Sequence, residues 1–297
     1  MAKIGIFDSG VGGISVLSEL LKVLPDEEYI YYCDQKNLPY GEKTPGEIRN
    51  LTKTSFNFID KQNVDMVVIA CNTATANAER YLKAIFGFPI FGIIDPGISE
   101  IVKTTKNKKI LVIATDSTVE NGTYQFKIKK KLPEAEVVAK GCKNLVRAVE
   151  DGHIDDELAL QVVEEYLEEF KDFDFDTLVL GCTHFPLARP AIEKVLKKMG
   201  KEVNIVDPAK ALAKTVYEFL QDRDFEDKKS GIKFYTSHSS KDLTKMVKNI
   251  LNKDYEEEEV NEEDYKDWRN EMWKLQRPCK RSARSIGFKP RREDIAI

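Results

Sequence analysis

The sequence predicts an α/β protein with two pseudo-symmetric α/β domains, mainly parallel sheets and a functional site in the cleft between the domains. Two observations lead to this prediction. Short apolar runs rich in Val and Ile alternate with longer segments of helical spacing, which is typical of strands buried on both faces of a parallel sheet. One run that ends on a cysteine occurs twice, at residues 65–71 and 176–182, so each half of the 297-residue chain has its own copy.

The first half reads as alternating strands, turns and helices. Pro25 ends the first helix, because proline cannot continue a helix, and apolar spacing indicates the other elements. In chain order we expect a strand at 3–7, a glycine turn at 8–13, a helix at 14–24, a strand at 29–32, a loop at 37–41, a helix at 46–62, the first cysteine strand, a helix at 77–86 and a strand ending in a turn at 92–97.

The second half repeats three landmarks of the first half in the same order. They are an Asp-Ser pair, the cysteine and an Asp-Pro pair, which lie at 8–9, 71 and 95–96 and again at 116–117, 182 and 207–208. The intervals from Asp-Ser to cysteine are 63 and 66 residues, and those from cysteine to Asp-Pro are 24 and 25. A pseudo-two-fold axis would bring both cysteines to one cleft, because open α/β sheets bind ligands at the carboxyl ends of their strands.

The repeat also divides the chain. We expect a first domain of residues 1–98 plus 208–255 and a second domain of residues 99–207. A returning helix at 209–221, a late strand at 232–237 and an amphipathic helix at 242–251 complete the first domain. Residues 256–297 form a charged C-terminal extension, acidic and then basic, for which composition favours a solvated or weakly ordered segment and a partner-binding or regulatory helix is the alternative.

Composition excludes several classes of function. A net charge of −4 gives no electrostatic reason for binding nucleic acid or an anionic membrane, and no apolar run reaches the roughly 18 residues of a membrane span. The amino terminus enters a strand directly, without the pattern of a signal peptide. Five cysteines without C-x-x-C spacing indicate free thiols in a reducing, cytoplasmic compartment.

Two thiols that face each other suit the inversion of a stereocentre. One base removes a proton from one face of a carbon while the second donates to the opposite face, and the two must start in opposite protonation states. Cys71 and Cys182 are the candidates, and a helix predicted after each would favour the thiolate. Asp8 and His184 are further candidates for acid–base work, although Asp8 also fits a turn residue that caps the first helix.

Other chemistries fit less well. The glycine turn departs from the dinucleotide fingerprint, because Ser15 stands at its third position. The cysteines lack the C-x₂₋₄-C spacing of zinc sites, so we expect no metal, and no motif contains a lysine for pyridoxal phosphate, so we expect no cofactor. A thiol redox protein and a non-catalytic two-domain binding protein for small ligands remain as alternatives. Structural roles are expected for the other cysteines and histidines, namely Cys33, Cys142, Cys279, His153 and His238.

Four motifs in register resemble the glutamate racemase family, within the aspartate/glutamate racemase superfamily, over about residues 3–255. They lie at 4–13 (IGIFDSGVGG), 39–41 (PYG), 70–74 (ACNTA) and 181–187 (GCTHFPL). The resemblance implies interconversion of L- and D-glutamate for peptidoglycan precursors, without a cofactor, by a cytoplasmic homodimer. Because a thiol pair does not encode the length of the substrate's side chain, racemisation of aspartate or another acidic substrate is the alternative.

The same resemblance implies roles for individual residues. Cys71 would deprotonate D-glutamate with help from Asp8, and Cys182 would deprotonate L-glutamate with help from His184. Glu150 matches a further carboxylate of the family near the second thiol, and it is implied by the resemblance alone, as is Tyr40. Substrate contacts are implied for Asp8, Ser9, Pro39, Tyr40, Gly41, Asn72, Thr73, Thr115, Thr118, Thr183 and His184.

Overall fold

Two parallel sheets with helices packed on them confirm the predicted α/β class. The structure, a computed structural model, describes residues 1–221, 223, 225, 230–239, 241–251, 257–261 and 265. The strands are β1 Lys3–Asp8, β2 Glu28–Cys33, β3 Met66–Ile69, β4 Ile90–Gly92, β5 Lys109–Ala114, β6 Glu136–Gly141, β7 Thr177–Gly181, β8 Asn204–Val206, β9 Gly231–Thr236 and β10 Glu257–Glu259. The α-helices are α1 Ile14–Val23, α2 Pro45–Lys61, α3 Asn72–Ile85, α4 Ile94–Thr104, α5 Asp116–Asn121, α6 Thr123–Lys131, α7 Lys143–Glu150, α8 Glu157–Leu167, α9 Arg189–Lys198, α10 Pro208–Leu220 and α11 Lys241–Leu251.

The internal repeat is visible in the order of the strands. The first sheet contains the order β2-β1-β3-β4, and the second sheet has the corresponding order β6-β5-β7-β8. All neighbouring strands are parallel, so every strand of a sheet points its carboxyl end to the same edge. The cysteines follow β3 and β7, which are equivalent strands in the two sheets.

The two sheets share part of their apolar core. One buried cluster contains side chains of both sheets, including Ile6 of β1 and Val112 of β5, together with residues of α1, α4 and α10. Each sheet also has a cluster of its own on its other face. Near-continuous apolar strands such as Ile4–Phe7 are the consequence, because both faces of β1 are covered.

The first sheet extends beyond the repeat at one edge. β9 pairs with β2, and β10 pairs with β9, both in parallel. β10 belongs to the start of the charged extension, and Tyr265 farther along is buried. The basic segment around Trp268 and Trp273 lies outside the described residues.

Two local predictions were wrong. The helix expected from residue 77 begins at Asn72, because Cys71 caps it and the polar residues of its first turn bond back into the structure. The turn expected at Asp95-Pro96-Gly97 is the first turn of α4, where a proline loses no helical hydrogen bond. No helix among the described residues is both long and apolar enough to cross a membrane.

Candidate active site

Both cysteines of the repeat line one cleft at the carboxyl ends of the two sheets. Cys71 follows β3 of the first sheet and Cys182 follows β7 of the second, and both thiols are more than nine-tenths buried. Most of the predicted site residues line this cleft, namely Ser9, Pro39, Tyr40, Gly41, Cys71, Asn72, Thr73, Thr115, Cys182, Thr183 and His184. The remaining three, Asp8, Thr118 and Glu150, contact the lining residues from behind.

Cys71 lies among hydroxyl and amide groups. Its sulfur is 3.4 Å from Ser9 Oγ, and it accepts a hydrogen bond of 3.4 Å from the backbone N–H of Ala74, in the first turn of α3. Burial and the carboxylate of Asp8 raise the pKa of the Cys71 thiol to about 12, although the hydrogen bonds from Ser9 and Ala74 act in the opposite direction. At neutral pH this thiol therefore keeps its proton.

Cys182 lies beside a histidine instead. Its sulfur is 3.5 Å from His184 Nδ1, while His184 Nε2 contacts Glu150 Oε1 in a short hydrogen bond. Burial lowers the pKa of His184, but the Glu150 carboxylate and Cys182 outweigh it and raise the pKa well above its usual value. The imidazole is therefore held in its charged form next to the thiol.

The predicted helix after Cys182 is not adjacent to this thiol. Residues 183–188 form turns, and α9 begins only at Arg189, so the helix N–H groups do not reach the sulfur. Cys71, by contrast, is itself the N-cap of α3. The expectation that a helix amino terminus supports both thiols alike holds for Cys71 and is wrong for Cys182.

Asp8 is fully buried at the end of β1. Its Oδ2 accepts hydrogen bonds from the backbone N–H groups of Gly10 and Gly13, and its Oδ1 accepts one of 3.4 Å from the hydroxyl of Thr183. Burial raises the pKa of Asp8 to about 6, against the opposing effects of His184 and the two N–H groups. The carboxyl thus titrates close to neutral pH, where acid–base groups are most effective.

Glu150 connects the second half of the chain to the first. Besides His184, its carboxylate accepts hydrogen bonds from Gln35 Nε2 at 3.4 Å and from the backbone N–H of Val11. Burial raises the pKa of Glu150, yet His184, Gln35 and Val11 together lower it below its usual value. A charged carboxylate at the end of α7 therefore sustains the imidazolium of His184.

Hydroxyl groups from both halves meet on the wall of the cleft. The Oγ1 atoms of Thr73, Thr115 and Thr118 form a triangle with separations of 2.9, 2.9 and 3.2 Å. Nearby, Tyr124 OH donates to Asn72 Oδ1 at 2.7 Å, while the buried Asn72 Nδ2 has no hydrogen-bond partner among the described residues. These groups offer several uncharged donors to an anionic ligand.

The glycine turn after β1 allows the two halves to approach closely. A Cβ atom on Gly12 would lie 2.5 Å from Thr183 Oγ1 and 2.7 Å from His184 Nδ1. A Cβ on Gly10 would lie 2.8 Å from Glu150 Oε1. Side chains of the second half therefore require glycine at positions 10 and 12, without any role for a dinucleotide phosphate.

The family model for Asp/Glu/hydantoin racemases matches residues 8–216, which include both cysteines. The chain belongs to the Asp/Glu/hydantoin racemase family. It is therefore an isomerase. Each of the four motifs that suggested the resemblance contributes residues to the lining of the cleft.

Similar proteins support this membership of the racemase family. The chain is 40% identical over 256 residues to "Glutamate racemase 2" of Caldanaerobacter subterraneus subsp. tengcongensis, covering 86% of this chain and 95% of that protein. The structure of glutamate racemase from Francisella tularensis in complex with D-glutamate superposes with a TM-score of 0.81 at 29% identity, over 89% of this chain and 99% of the other. That of the Escherichia coli enzyme, in complex with L-glutamate and the activator UDP-MurNAc-ala, has a TM-score of 0.74 at 27% identity, over 88% and 98%.

Sequence reasoning missed several residues of this racemase site. Ser15, which counted only as a departure from a dinucleotide motif, donates from its hydroxyl to the carbonyls of Gly12 and Thr183 and so joins the two halves. Arg147 lines the cleft and forms an ion pair of 2.6 Å with Glu42 across it. The helical spacing that brings Arg147 and Glu150 to the same face of α7 was a usable signal. The described residues contain no cluster of His, Cys, Asp and Glu side chains that could hold a metal ion.

Proposed function

We propose that this racemase interconverts L- and D-glutamate by a two-base mechanism in which Cys71 and Cys182 are the catalytic bases. The observation that supports it most directly is one thiol from each half of the chain on the same cleft. A redox pair would not need the two unlike surroundings, and a simple binding protein would not need a buried thiol on each side.

In the L-to-D direction, the thiolate of Cys182 takes the proton from the Cα of L-glutamate. The electron pair left on Cα is delocalised into the carboxylate, and the thiol of Cys71 donates its proton to the opposite face. The products are D-glutamate, a protonated Cys182 and a deprotonated Cys71. The D-to-L direction runs the same steps in reverse, so no oxidant, metal or cofactor takes part.

The neighbouring groups of the two thiols differ in a way that suits this cycle. In the L-to-D direction His184, kept charged by Glu150, assists Cys182 from 3.5 Å. The raised pKa of Cys71 keeps that thiol protonated and ready to donate. In the reverse direction Asp8 assists Cys71, whose thiolate also receives the Ser9 and Ala74 hydrogen bonds.

Substrate binding is assigned to uncharged donors on the cleft wall. Asn72 Nδ2, a buried donor fixed in orientation by Tyr124, suits a substrate carboxylate, as does the hydroxyl triangle. The relatives at about 40% identity that bear the name glutamate racemase favour glutamate over aspartate. The predicted contacts that line the cleft are assigned to glutamate, namely Ser9, Pro39, Tyr40, Gly41, Asn72, Thr73, Thr115, Thr183 and His184. Asp8 and Thr118, also predicted as contacts, are assigned to hold Thr183 and Thr115 from behind.

The organisation around this site is also a proposal. Residues 1–98 plus 208–255 and residues 99–207 would form two domains that close on the substrate, with residues 256–297 as an extension. The protein would act as a cytoplasmic homodimer that serves peptidoglycan synthesis. The net charge of −4 gives no electrostatic reason for nucleic-acid or membrane partners. Sedimentation analysis at micromolar concentration tests the dimer, because a single species of monomer mass would contradict it.

Incubation of the protein with L-glutamate in D₂O, without added cofactor, tests the reaction itself. We expect the optical rotation to decay to zero while the Cα–H signal is replaced by deuterium, because the incoming proton comes from a solvent-exchanged thiol. L-aspartate in a parallel sample tests the alternative substrate. Absence of both inversion and exchange with L-glutamate would contradict the proposal. Faster inversion of L-aspartate than of L-glutamate would instead make aspartate the preferred substrate.

A further inference from the structure

The start of the charged C-terminal extension packs behind the loop that carries three proposed substrate contacts, Pro39, Tyr40 and Gly41. Residues 257–259 form β10 on the edge of the first sheet, and Tyr265 is only 2% exposed. Burial of a tyrosine from a segment of this composition requires a specific partner surface. That surface is the aromatic cluster beneath the cleft.

An aromatic path leads from Tyr265 to Tyr40. The hydroxyls of Tyr265 and Tyr32 lie 2.5 Å apart, and their rings meet edge to face with centroids 6.2 Å apart. Tyr32 stacks on Phe7 at 6.4 Å, and Phe7 in turn contacts the Tyr40 ring at 6.2 Å. Phe58 closes the cluster from the side, 5.3 Å from Tyr265. Displacing Tyr265 would therefore open the packing that supports Tyr40.

A polar path leads from β10 to the same loop. Glu259 accepts a hydrogen bond of 2.8 Å from the backbone N–H of Ser239, in the turn after β9. In that turn Ser237 Oγ donates to Asp34 Oδ1 at 2.7 Å and accepts from the N–H of Lys36 at 3.0 Å.

Asp34 then holds the proposed substrate loop directly. Its Oδ2 accepts a hydrogen bond of 2.6 Å from the hydroxyl of Tyr40, and its carboxylate also accepts from Asn37 Nδ2. Asp34 is 2% exposed, so each of these bonds is formed away from water. The loop over residues 34–41 is thus fixed at its base by the turn that β10 supports.

We propose that Tyr265 and Glu259 are positioning residues: the extension holds the loop at 34–41 in the conformation that binds the substrate. This inference rests on the proposed racemisation for its kinetic effect. The apparent affinity of a site falls in proportion to the fraction of molecules in the competent conformation, while the chemical step of the bound complex does not change. Loss of the contact should therefore raise KM and leave kcat almost unaltered.

The test compares Tyr265→Phe with Tyr217→Phe in the full-length chain. Tyr265→Phe keeps the ring and removes the hydroxyl that contacts Tyr32, and Tyr217, 40% exposed on α10, is the matched control. We expect KM for glutamate to rise about threefold to tenfold in Tyr265→Phe, with kcat within about twofold, and no change in the control. Tyr265→Ala and Glu259→Ala, which removes the acceptor of the Ser239 N–H, should act in the same direction, with Glu258→Ala as the control for the second.

Hydrogen exchange followed by mass spectrometry gives a readout that does not depend on activity. In Tyr265→Phe the amides of residues 35–43 should lose protection, because several donate within the loop or to Ser237, while those of β5 should not change. Unchanged KM together with unchanged protection in Tyr265→Phe and Glu259→Ala would overturn the inference, even if melting temperatures fell. Loss of protection in a protein that does not racemise glutamate would instead uphold the positioning role and remove the proposed function.

Discussion

The two thiols of the repeat end equivalent strands but have unlike surroundings. Cys71 is the N-cap of α3, receives only a hydroxyl and an amide neighbour, and has a pKa raised to about 12. Cys182 has no helix beside it and instead contacts an imidazole that is kept charged by Glu150. Equivalent strands thus carry two thiols with different neighbours, a hydroxyl and an amide at Cys71 and a charged imidazole at Cys182.

The difference follows from residues that come across the cleft. Glu150 belongs to the second half but accepts from Val11 and Gln35 of the first, and Asp8 belongs to the first half but accepts from Thr183 of the second. The position of each carboxylate therefore depends on contacts with both halves of the chain.

Removal of either thiol should have the largest effect. Cys71→Ala and Cys182→Ala should each lower kcat for racemisation in both directions by about 10³-fold or more, because positioned acid–base groups supply 10² to 10⁴ each and the cycle uses both. Polarimetry with each enantiomer of glutamate measures the rates. Cys142→Ala is the matched control, since Cys142 is also buried with a raised pKa but lies outside the cleft. Substantial activity in either cleft variant would contradict the two-base mechanism.

A methyl group at position 12 should displace the residues beside Cys182 and leave those beside Cys71 in place. Gly12→Ala places a Cβ 2.5 Å from Thr183 Oγ1 and 2.7 Å from His184 Nδ1, so the imidazole must move away from the thiol. We expect kcat to fall about 10²-fold, as for a misplaced catalytic group. Gly46→Ala, where the added Cβ meets nothing within 4 Å, is the control and should keep full activity. Equal activity of the two variants would show that the close approach at Gly12 is unimportant.

Loss of the Glu150 charge should shift the pH profile. The carboxylate raises the pKa of His184, so in Glu150→Gln that pKa falls and the imidazolium is lost at a lower pH. The alkaline limit of kcat should move down by about 1 pH unit or more, which is the usual effect of one opposite charge at contact distance. Titration of the His184 ring by NMR checks the cause independently. If the pKa of His184 falls but the alkaline limit of kcat does not change, the ionisation that limits kcat does not belong to His184.

The fold was largely predictable, because strands buried on both faces leave continuous apolar runs and the repeat marks equivalent strands. The acidic residues of β10 carried no such signal. A short edge strand forms there because β9 offers an unpaired edge, and this depends on tertiary structure rather than on propensity. The start of α3 was missed for a related reason, since Asn and Thr are weak helix formers that are favoured here by the Cys71 cap.

The site was predictable where the chemistry was local. The two cysteines, Asp8 and His184 lie at or just after strand ends, and all four belong to the motifs found in the sequence. Glu150 lies at the end of α7, 34 residues before His184, and nothing in its neighbourhood indicates that it contacts the histidine. Ser15 and Gln35 were missed because their hydrogen bonds join the two halves. Such contacts depend on how the two halves pack against each other. No local pattern in a single sequence indicates that packing.

The buried carboxyl group of Asp8 should lower the free energy of unfolding at neutral pH. The folded pKa of Asp8, about 6, exceeds its ordinary value of 3.8, so its contribution to stability is complete below about pH 4 and is lost as pH rises through about 6. The difference between the two pKa values corresponds to about 3 kcal/mol in the free energy of unfolding. Asp8→Asn, whose side-chain oxygen can keep the Gly10 and Gly13 bonds, should therefore be more stable than the parent at pH 7 and similar to it at pH 4. Chemical denaturation at both pH values measures the difference.

Asp8→Asn should also change the reactivity of the Cys71 thiol. The Asp8 carboxylate is the second cause, after burial, of the raised pKa of Cys71, so Asp8→Asn should lower that pKa. Alkylation of Cys71 by iodoacetamide at pH 8, followed by peptide mass, should then be several-fold faster, since the thiolate is the reacting form. Racemisation should nevertheless slow, because Asp8 no longer assists proton removal from D-glutamate. A variant with faster alkylation and undiminished racemisation would show that Asp8 tunes the thiol without assisting the reaction.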